Sequence, residues 1–209
     1  MAQVSTRRLG VKGVESFVRE SGPSDRREGV VFVHGNPGSG EDFEGLLPLV
    51  GDFARNVGVV PGYRWHKYAR IWRTPLLGEL FQLTATRGML GLSLDADNPK
   101  PFPREFVDRM YGYMDWPMKR AVLALYRATD DLSALTQGWG EKLRPHRIRT
   151  LVVWGENDAF LPVRYAEVQK QYFDAEVHVV PNAGHWPMID EPRRVEELVV
   201  PFLRRRVSG

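Results

Sequence analysis

The sequence contains no cysteine. That excludes a disulfide framework and any thiolate metal site. It also contains no apolar run of about 18 residues, the length a membrane-spanning helix requires. Met1 to Gly10 carries Arg7 and Arg8 with no apolar stretch behind them, so no secretory leader is expected and the expected location is cytoplasmic. Lysine is scarce, at six positions, so arginine supplies most of the 29 basic residues. These arginines are spread along the chain and cluster only at Arg204-Arg205-Arg206, and the net charge is only +3. With neither a basic stripe nor a reading motif, no nucleic-acid partner is expected. The five histidines, His34, His66, His146, His178 and His185, show neither i, i+4 spacing nor a metal-binding carboxylate pattern. No metal and no cofactor are therefore expected.

What is present is a globular composition, with 43% apolar and 26% charged residues in 209. Such a chain buries roughly 70% of its unfolded surface. It reads as one domain with room for a small insertion.

Two short strands open the chain. Val11 to Val18 alternates imperfectly, through Val14, Phe17 and Val18. A polar turn at Ser21-Gly22-Pro23-Ser24-Asp25 leads to Val30-Val31-Phe32-Val33. A continuous apolar run of that length fits a strand buried on both faces, as in a parallel sheet. It ends in His34-Gly35-Asn36-Pro37-Gly38-Ser39-Gly40. Ser39 and Asp42 then form a capping pattern, and Phe43, Leu46, Leu47 and Val50 share one helical face.

Residues 61–140 differ in character. They are rich in aromatic residues, with Tyr63, Trp65, Tyr68, Trp72 and Tyr126 among them, and they hold no strand-like run. Helical faces recur at Leu77, Leu80, Phe81 and Thr84, at Val107, Met110, Tyr111 and Met114, and at Val122, Leu125 and Tyr126. Pro103 and Pro117 fall where first helical turns would begin. Asp95 and Asp97, next to Asn98-Pro99, read as a solvated polar loop.

Strand–helix alternation returns in the last third. Leu151-Val152-Val153-Trp154 and Val177-His178-Val179-Val180 read as strands. A helix beginning at Pro162 places Leu161, Tyr165, Val168 and Tyr172 on one face. A final helix from about Pro192 shows Val195, Leu198, Val199, Phe202 and Leu203, with Pro201 expected to kink or shorten it. The class is α/β, a mostly parallel sheet flanked by helices.

Three loops follow apolar strands directly: His34-Gly35-Asn36-Pro37, Gly155-Glu156-Asn157-Asp158 and Gly184-His185-Trp186-Pro187. In open parallel sheets, sites form at the carboxyl ends of strands. A glycine-rich turn, an acid and a histidine suit acyl-transfer-like chemistry. The histidine acts as base, the acid holds its tautomer, and backbone N–H groups polarise an oxygen. Each residue also has a plainer reading. Asp158 fits an Asx turn, and His185 fits a loop residue packed on Trp186 and Pro187. Ser39 fits a helix cap better than a nucleophile. Tyr63, Trp65 and Trp72 fit either a substrate pocket or helical packing.

In these motifs the sequence resembles the α/β-hydrolase superfamily, in the branch of haloalkane dehalogenases and epoxide hydrolases. The resemblance covers residues 29–54 and 148–203. It implies a core of residues 1–60 and 141–209 with a helical cap insertion at 61–140. It also implies an oxyanion turn at His34, Gly35, Asn36 and Pro37, with Asn36 a candidate halide contact, an acid at Asp158 (Glu156 as substitute) and a base at His185. The expected substrate is a small apolar ester, epoxide or haloalkane. The family's nucleophile elbow, G-x-S-x-G or its Asp form, has no counterpart here. Gly91-Leu92-Ser93-Leu94-Asp95 lacks the second glycine. Two strand–helix crossovers of about 30 residues each are expected before the cap. The segment from His34 to Pro61 is too short for them, which places a deletion near Arg55–Asn56. The strand at Val30–Val33 then lacks its usual neighbours and has Leu151–Trp154 as a candidate partner, in a shortened sheet of about five strands. The alternative function is a non-catalytic, internally truncated family member that binds a ligand or a partner.

Overall fold

The computed structural model describes residues 4–11, 14–21 and 58–207. They belong to two compact units, one of Met1–Asn56 with Pro192–Gly209 and one of Val57–Glu191.

In the first unit, β1 (Val4–Val11) and β2 (Val14–Ser21) form an antiparallel hairpin, registered from Val4 opposite Ser21 to Val11 opposite Val14. This corrects the single strand expected over Val11–Val18. The sequence carries a glycine, Gly13, within that stretch, a hairpin signal that the weak alternation had hidden. The C-terminal helix α9 (Pro192–Val207) also belongs here. The helix runs on past Pro201 to Val207, so the proline does not shorten it. Val195, Phe202 and Leu203 are buried, at the helical spacing read from the sequence. The strand at Val30–Val33, the helix from Ser39 and the proposed join at Arg55–Asn56 lie outside the described residues.

The second unit begins with six helices. They are α1 (Lys67–Arg73), α2 (Leu77–Thr84), α3 (Arg87–Ala96), α4 (Arg104–Gly112), α5 (Trp116–Ala128) and α6 (Leu132–Leu143). Their starts have local causes. Thr86, Asp115 and Asp131 cap α3, α5 and α6 by accepting from the backbone N–H of Met89, Met118 and Ala134. Pro103 and Pro117 stand at helix starts as expected. No described helix is long and apolar enough to cross a membrane.

The inward faces differ from the expected ones in two places. In α2, Leu77 and Leu80 are exposed, and Gly78 and Gln82 are buried instead. Gly78 lies so close to α1 and α5 that an added Cβ would stand 2.8 Å from the Trp72 carbonyl oxygen and 3.0 Å from Leu123. Arg127 secures this approach, with bonds of 2.6 and 2.8 Å to the Glu79 carboxylate and one of 3.1 Å to the Trp72 carbonyl. The Arg127 guanidinium holds the Glu79 carboxyl down at about 2. In α5, Leu123 is buried where Leu125 was expected. The solvated loop expected at Asp95 and Asp97 holds only for the exposure of Asp95. Asp95 lies in α3 and accepts from the Phe102 N–H at 2.9 Å. Asp97 is largely buried, bonded to Lys67 at 2.7 Å and to the Tyr68 hydroxyl at 3.0 Å.

After the helices come β3 (Arg149–Gly155), α7 (Arg164–Val168), β4 (Asp174–Val180) and α8 (Pro187–Asp190). Strands β3 and β4 are parallel, with Val152 opposite Val177 and Gly155 opposite Val180. Both were expected from their apolar runs. The helix expected from Pro162 begins at Arg164 and tightens into a 3₁₀ turn at Gln169–Gln171.

One core cluster unites α3 and α4 with the loop after β4, through Leu94, Phe102, Phe106, Val107, Met110 and Trp186. Phe102 and Trp186 meet edge to face at 5.4 Å, a contact type contributing about 0.5–1.5 kcal/mol beyond area burial. A second cluster packs Val59 against Tyr172 and Phe173. There, buried Gln169 satisfies the Val59 backbone completely. Its Oε1 accepts from the Val59 N–H at 2.9 Å, and its Nε2 donates to the Val59 carbonyl at 2.7 Å. Gln169→Leu leaves both backbone groups without partners. It is expected to lower stability by about 2–3 kcal/mol, read as an earlier urea midpoint. An unchanged midpoint refutes this account.

Candidate active site

Two strand ends build the site. Past β3 the chain turns through Gly155-Glu156-Asn157, with Glu156 N–H bonded to the Val180 carbonyl at 3.0 Å and Asn157 N–H to the Ala183 carbonyl at 2.9 Å. The turn delivers Asp158, whose side chain is 6% exposed. Past β4, Asn182 takes a left-handed conformation, with φ at 55°. Asparagine tolerates that region. The chain then reaches Gly184 and His185.

Asp158 serves two purposes with its two oxygens. Oδ1 accepts from the backbone N–H of Phe160 and of Leu161, each at 2.8 Å. Oδ2 lies 2.8 Å from His185 Nδ1. The Asx turn and the carboxylate that meets His185 are therefore one arrangement. The local turn fixes the carboxylate that meets the imidazole. With a carboxylate oxygen on Nδ1, that nitrogen carries the proton and Nε2 is left as the basic one. Glu156 is exposed and does not replace Asp158.

His185 is held from both sides in sequence. Trp186 follows it into the core cluster and meets the imidazole at 4.8 Å. Gly184 precedes it, and its N–H donates to Asp190 Oδ2 at 2.7 Å. Asn98 Nδ2 donates to the other Asp190 oxygen at 2.8 Å. Phe160 packs edge-on against His185 at 5.1 Å and against His66 at 5.2 Å.

A cavity of about 250 Å³ lies on this aromatic wall. Tyr63, Arg64, His66, Phe160 and Arg164 line it. Of the three pocket candidates, Tyr63 is in the lining. Trp65 and Trp72 do not line this cavity. They pack behind it on Tyr126, at 5.3 and 4.9 Å. Sequence reasoning passed over His66, Arg64, Phe160 and Arg164. His66 caps α1, accepting from the Ala69 N–H at its Nδ1. The sequence rules for caps do not include histidine. The turn at His34, Gly35, Asn36 and Pro37, and Ser39 with it, lies outside the described residues. Among the described residues no group of three metal-ligating side chains converges.

Burial pushes the Tyr63 hydroxyl up to about 12, against a smaller lowering contribution from the His66 backbone. Burial, with His185 nearby, pushes His66 down to about 4, although Asp97 and Asp158 pull the other way. The native His66 therefore stays neutral where an unfolded histidine, at 6.5, takes up a proton. Stability is complete above pH 6.5 and falls as the pH drops from there toward 4. At 1.36 kcal/mol per unit, reduced for solvent access, the loss is roughly 1–2 kcal/mol. Urea titrations across that range are expected to show this loss. His66→Asn, which keeps a capping oxygen, is expected to flatten it.

Known proteins can be set beside this geometry. Residues 58–198 match the profile of the Alpha/beta hydrolase family. Epoxide hydrolase 3 of Xenopus tropicalis is 37% identical over 59 residues, 27% of this chain and 16% of that protein. Epoxide hydrolase 4 of Homo sapiens is 39% identical over 66 residues, 30% of this chain and 18% of that protein. The matched stretch thus spans about a sixth of the length of these relatives. The haloalkane dehalogenase DbeA of Bradyrhizobium elkani USDA94 superposes with a TM-score of 0.79 at 17% identity, covering 99% of this chain and 100% of that one. The fold expected from the sequence, that of the α/β-hydrolases, is the observed one. With more than half of its length within the family profile, the chain belongs to the alpha/beta hydrolase family.

Proposed function

We propose that this chain carries the water-activating part of a hydrolase site that acts on a small ester, epoxide or haloalkane. The observation behind the proposal is the 2.8 Å contact of His185 Nδ1 with a carboxylate oxygen of Asp158. His185 Nε2 takes a proton from water as the water oxygen bonds to the electrophilic carbon of the substrate. That carbon's bond to the ester oxygen, epoxide oxygen or halide breaks, the electron pair leaving with that group and the proton on Nε2 then available to a leaving oxygen. Asp158 keeps the proton on Nδ1 and faces the imidazolium that forms. No cofactor enters this chemistry. In this reading residues 61–140 are a cap over a core of 1–60 and 141–209. His34, Gly35, Asn36 and Pro37 supply the oxyanion turn. The epoxide hydrolase relatives support the substrate class.

One observation favours a second reading. The sequence holds no nucleophile elbow of either family form. A chain shortened near Arg55–Asn56 would keep the base and its acid and lose covalent catalysis, leaving a ligand-binding remnant. Incubation with 4-nitrophenyl acetate distinguishes the two. The hydrolase reading expects turnover that His185→Ala reduces by about 100-fold or more. Turnover unaffected by that substitution, or none at all, favours the remnant.

A further inference from the structure

Most of the polar groups lining the cavity can only donate into it, and the Tyr63 hydroxyl can donate or accept. Arg64 and Arg164 lie in its lining, and neither forms an ion pair with a carboxylate among the described residues. Arg164 is held in place, its guanidinium 4.7 Å over the Tyr165 ring and Nη2 3.1 Å from the Tyr165 hydroxyl. A planar guanidinium suits a carboxylate. His66 accepts the Ala69 N–H at Nδ1, so a neutral imidazole there must carry its proton on Nε2. The remaining lining side chains, at Gly62, Ala159 and Pro162, bring no acceptor. Phe160 supplies an aromatic wall.

From this we infer that the cavity takes a small organic carboxylate, its anionic group beside Arg64 and Arg164 and its apolar part against Phe160, with His66 Nε2–H as a directed donor. The neutrality of His66, pushed down to about 4, and of Tyr63, pushed up to about 12, agrees with two uncharged donors at pH 7. The size agrees as well. Drug-sized ligands occupy cavities of about 300–1,000 Å³, and 250 Å³ suits something smaller. An apolar, uncharged ligand would leave both guanidinium groups unused. The inference rests on the proposed hydrolase and narrows its substrate to an ester, epoxide or haloalkane that also carries a carboxylate, and its test uses binding rather than turnover.

Phenylacetate and its neutral counterpart phenylacetamide are titrated into the full chain at pH 7 and low ionic strength, followed by NMR. Phenylacetate is expected to bind about tenfold more tightly, the worth of one or two solvent-accessible charge pairs. The double variant Arg64→Ala, Arg164→Ala is expected to lose that preference while still binding phenylacetamide. Long-range ¹H–¹⁵N spectra are expected to place the His66 proton on Nε2 and to shift that nitrogen when phenylacetate binds. Equal affinity for both probes, a preference that survives the double variant, a His66 proton on Nδ1, or no binding of either probe each overturns the inference. The assignment of His185 as base fails separately, through turnover that does not depend on it.

Discussion

Under the proposed hydrolase function, Asp158→Asn is expected to cut turnover by roughly 10³–10⁴-fold while leaving the fold unchanged, the size of loss that a wrong histidine tautomer produces in a triad. The reason lies in the Asx turn. The N–H groups of Phe160 and Leu161 both donate to Oδ1 at 2.8 Å. In an asparagine, only the amide oxygen can receive them. The amide NH₂ is thereby turned toward His185 Nδ1, where the carboxylate oxygen now stands at 2.8 Å. Two donors cannot face each other, so Nδ1 becomes the acceptor and the proton moves to Nε2. In the proposed reaction, the base is then blocked at the nitrogen that receives the proton from water. Long-range ¹H–¹⁵N correlation spectra of His185 read the tautomer directly, and kinetics with 4-nitrophenyl acetate read the consequence. A variant whose tautomer and turnover match the parent's refutes the assignment of Asp158 as the orienting acid.

Gly155→Ala is expected to destabilise the chain by about 3 kcal/mol, the upper end of what overpacking costs and a large part of the 5–15 kcal/mol that holds a typical domain together. Gly155 ends β3 against the loop that carries His185. A Cβ there would overlap the Gly184 carbonyl oxygen and stand 2.6 Å from that of Ala183. Both obstacles are backbone, so no side-chain rotation relieves them. The loop must move away, and the Asn157 N–H to Ala183 carbonyl bond of 2.9 Å moves with it. Gly184 is pressed from its other side by Asn98 Oδ1, which limits the room to retreat. Urea denaturation measures the loss. An alanine variant within about 1 kcal/mol of the parent refutes the close-approach account.

The parts of this molecule that could be read from sequence are those where local and tertiary demands coincide. Leu151–Trp154 is apolar throughout and Val177–Val180 is apolar but for His178, and they form the parallel pair β3 and β4. Asp158 and His185 follow them at once, each introduced by a glycine turn. A shared strand end is enough to bring such residues together. The α2 face was misread because its choice is made elsewhere. Leu77 and Leu80 fit an inward stripe, yet the bonds of Arg127 to Glu79 and the bare backbone of Gly78 turn the opposite face inward. Asp97 looked solvated because its partners, Lys67 and Tyr68, lie 30 and 29 residues earlier. His66 escaped for a similar reason. Its position in the cavity lining depends on Phe160 and Arg164, which nothing near it in sequence announces.

The Gln169 clamp has a consequence for the order of events during synthesis. Val59 and Gln169 are 110 residues apart, and their paired bonds close the core around Val59. A ribosome adding about 5–20 residues per second needs roughly 5–20 s to supply the glutamine after it has supplied the valine. For that interval the Val59 amide and carbonyl have only water as partners, while the intervening helices, whose bonds are local, are free to form. The unit can therefore assemble its helices on the nascent chain, but it can lock its first segment only when synthesis has passed α7.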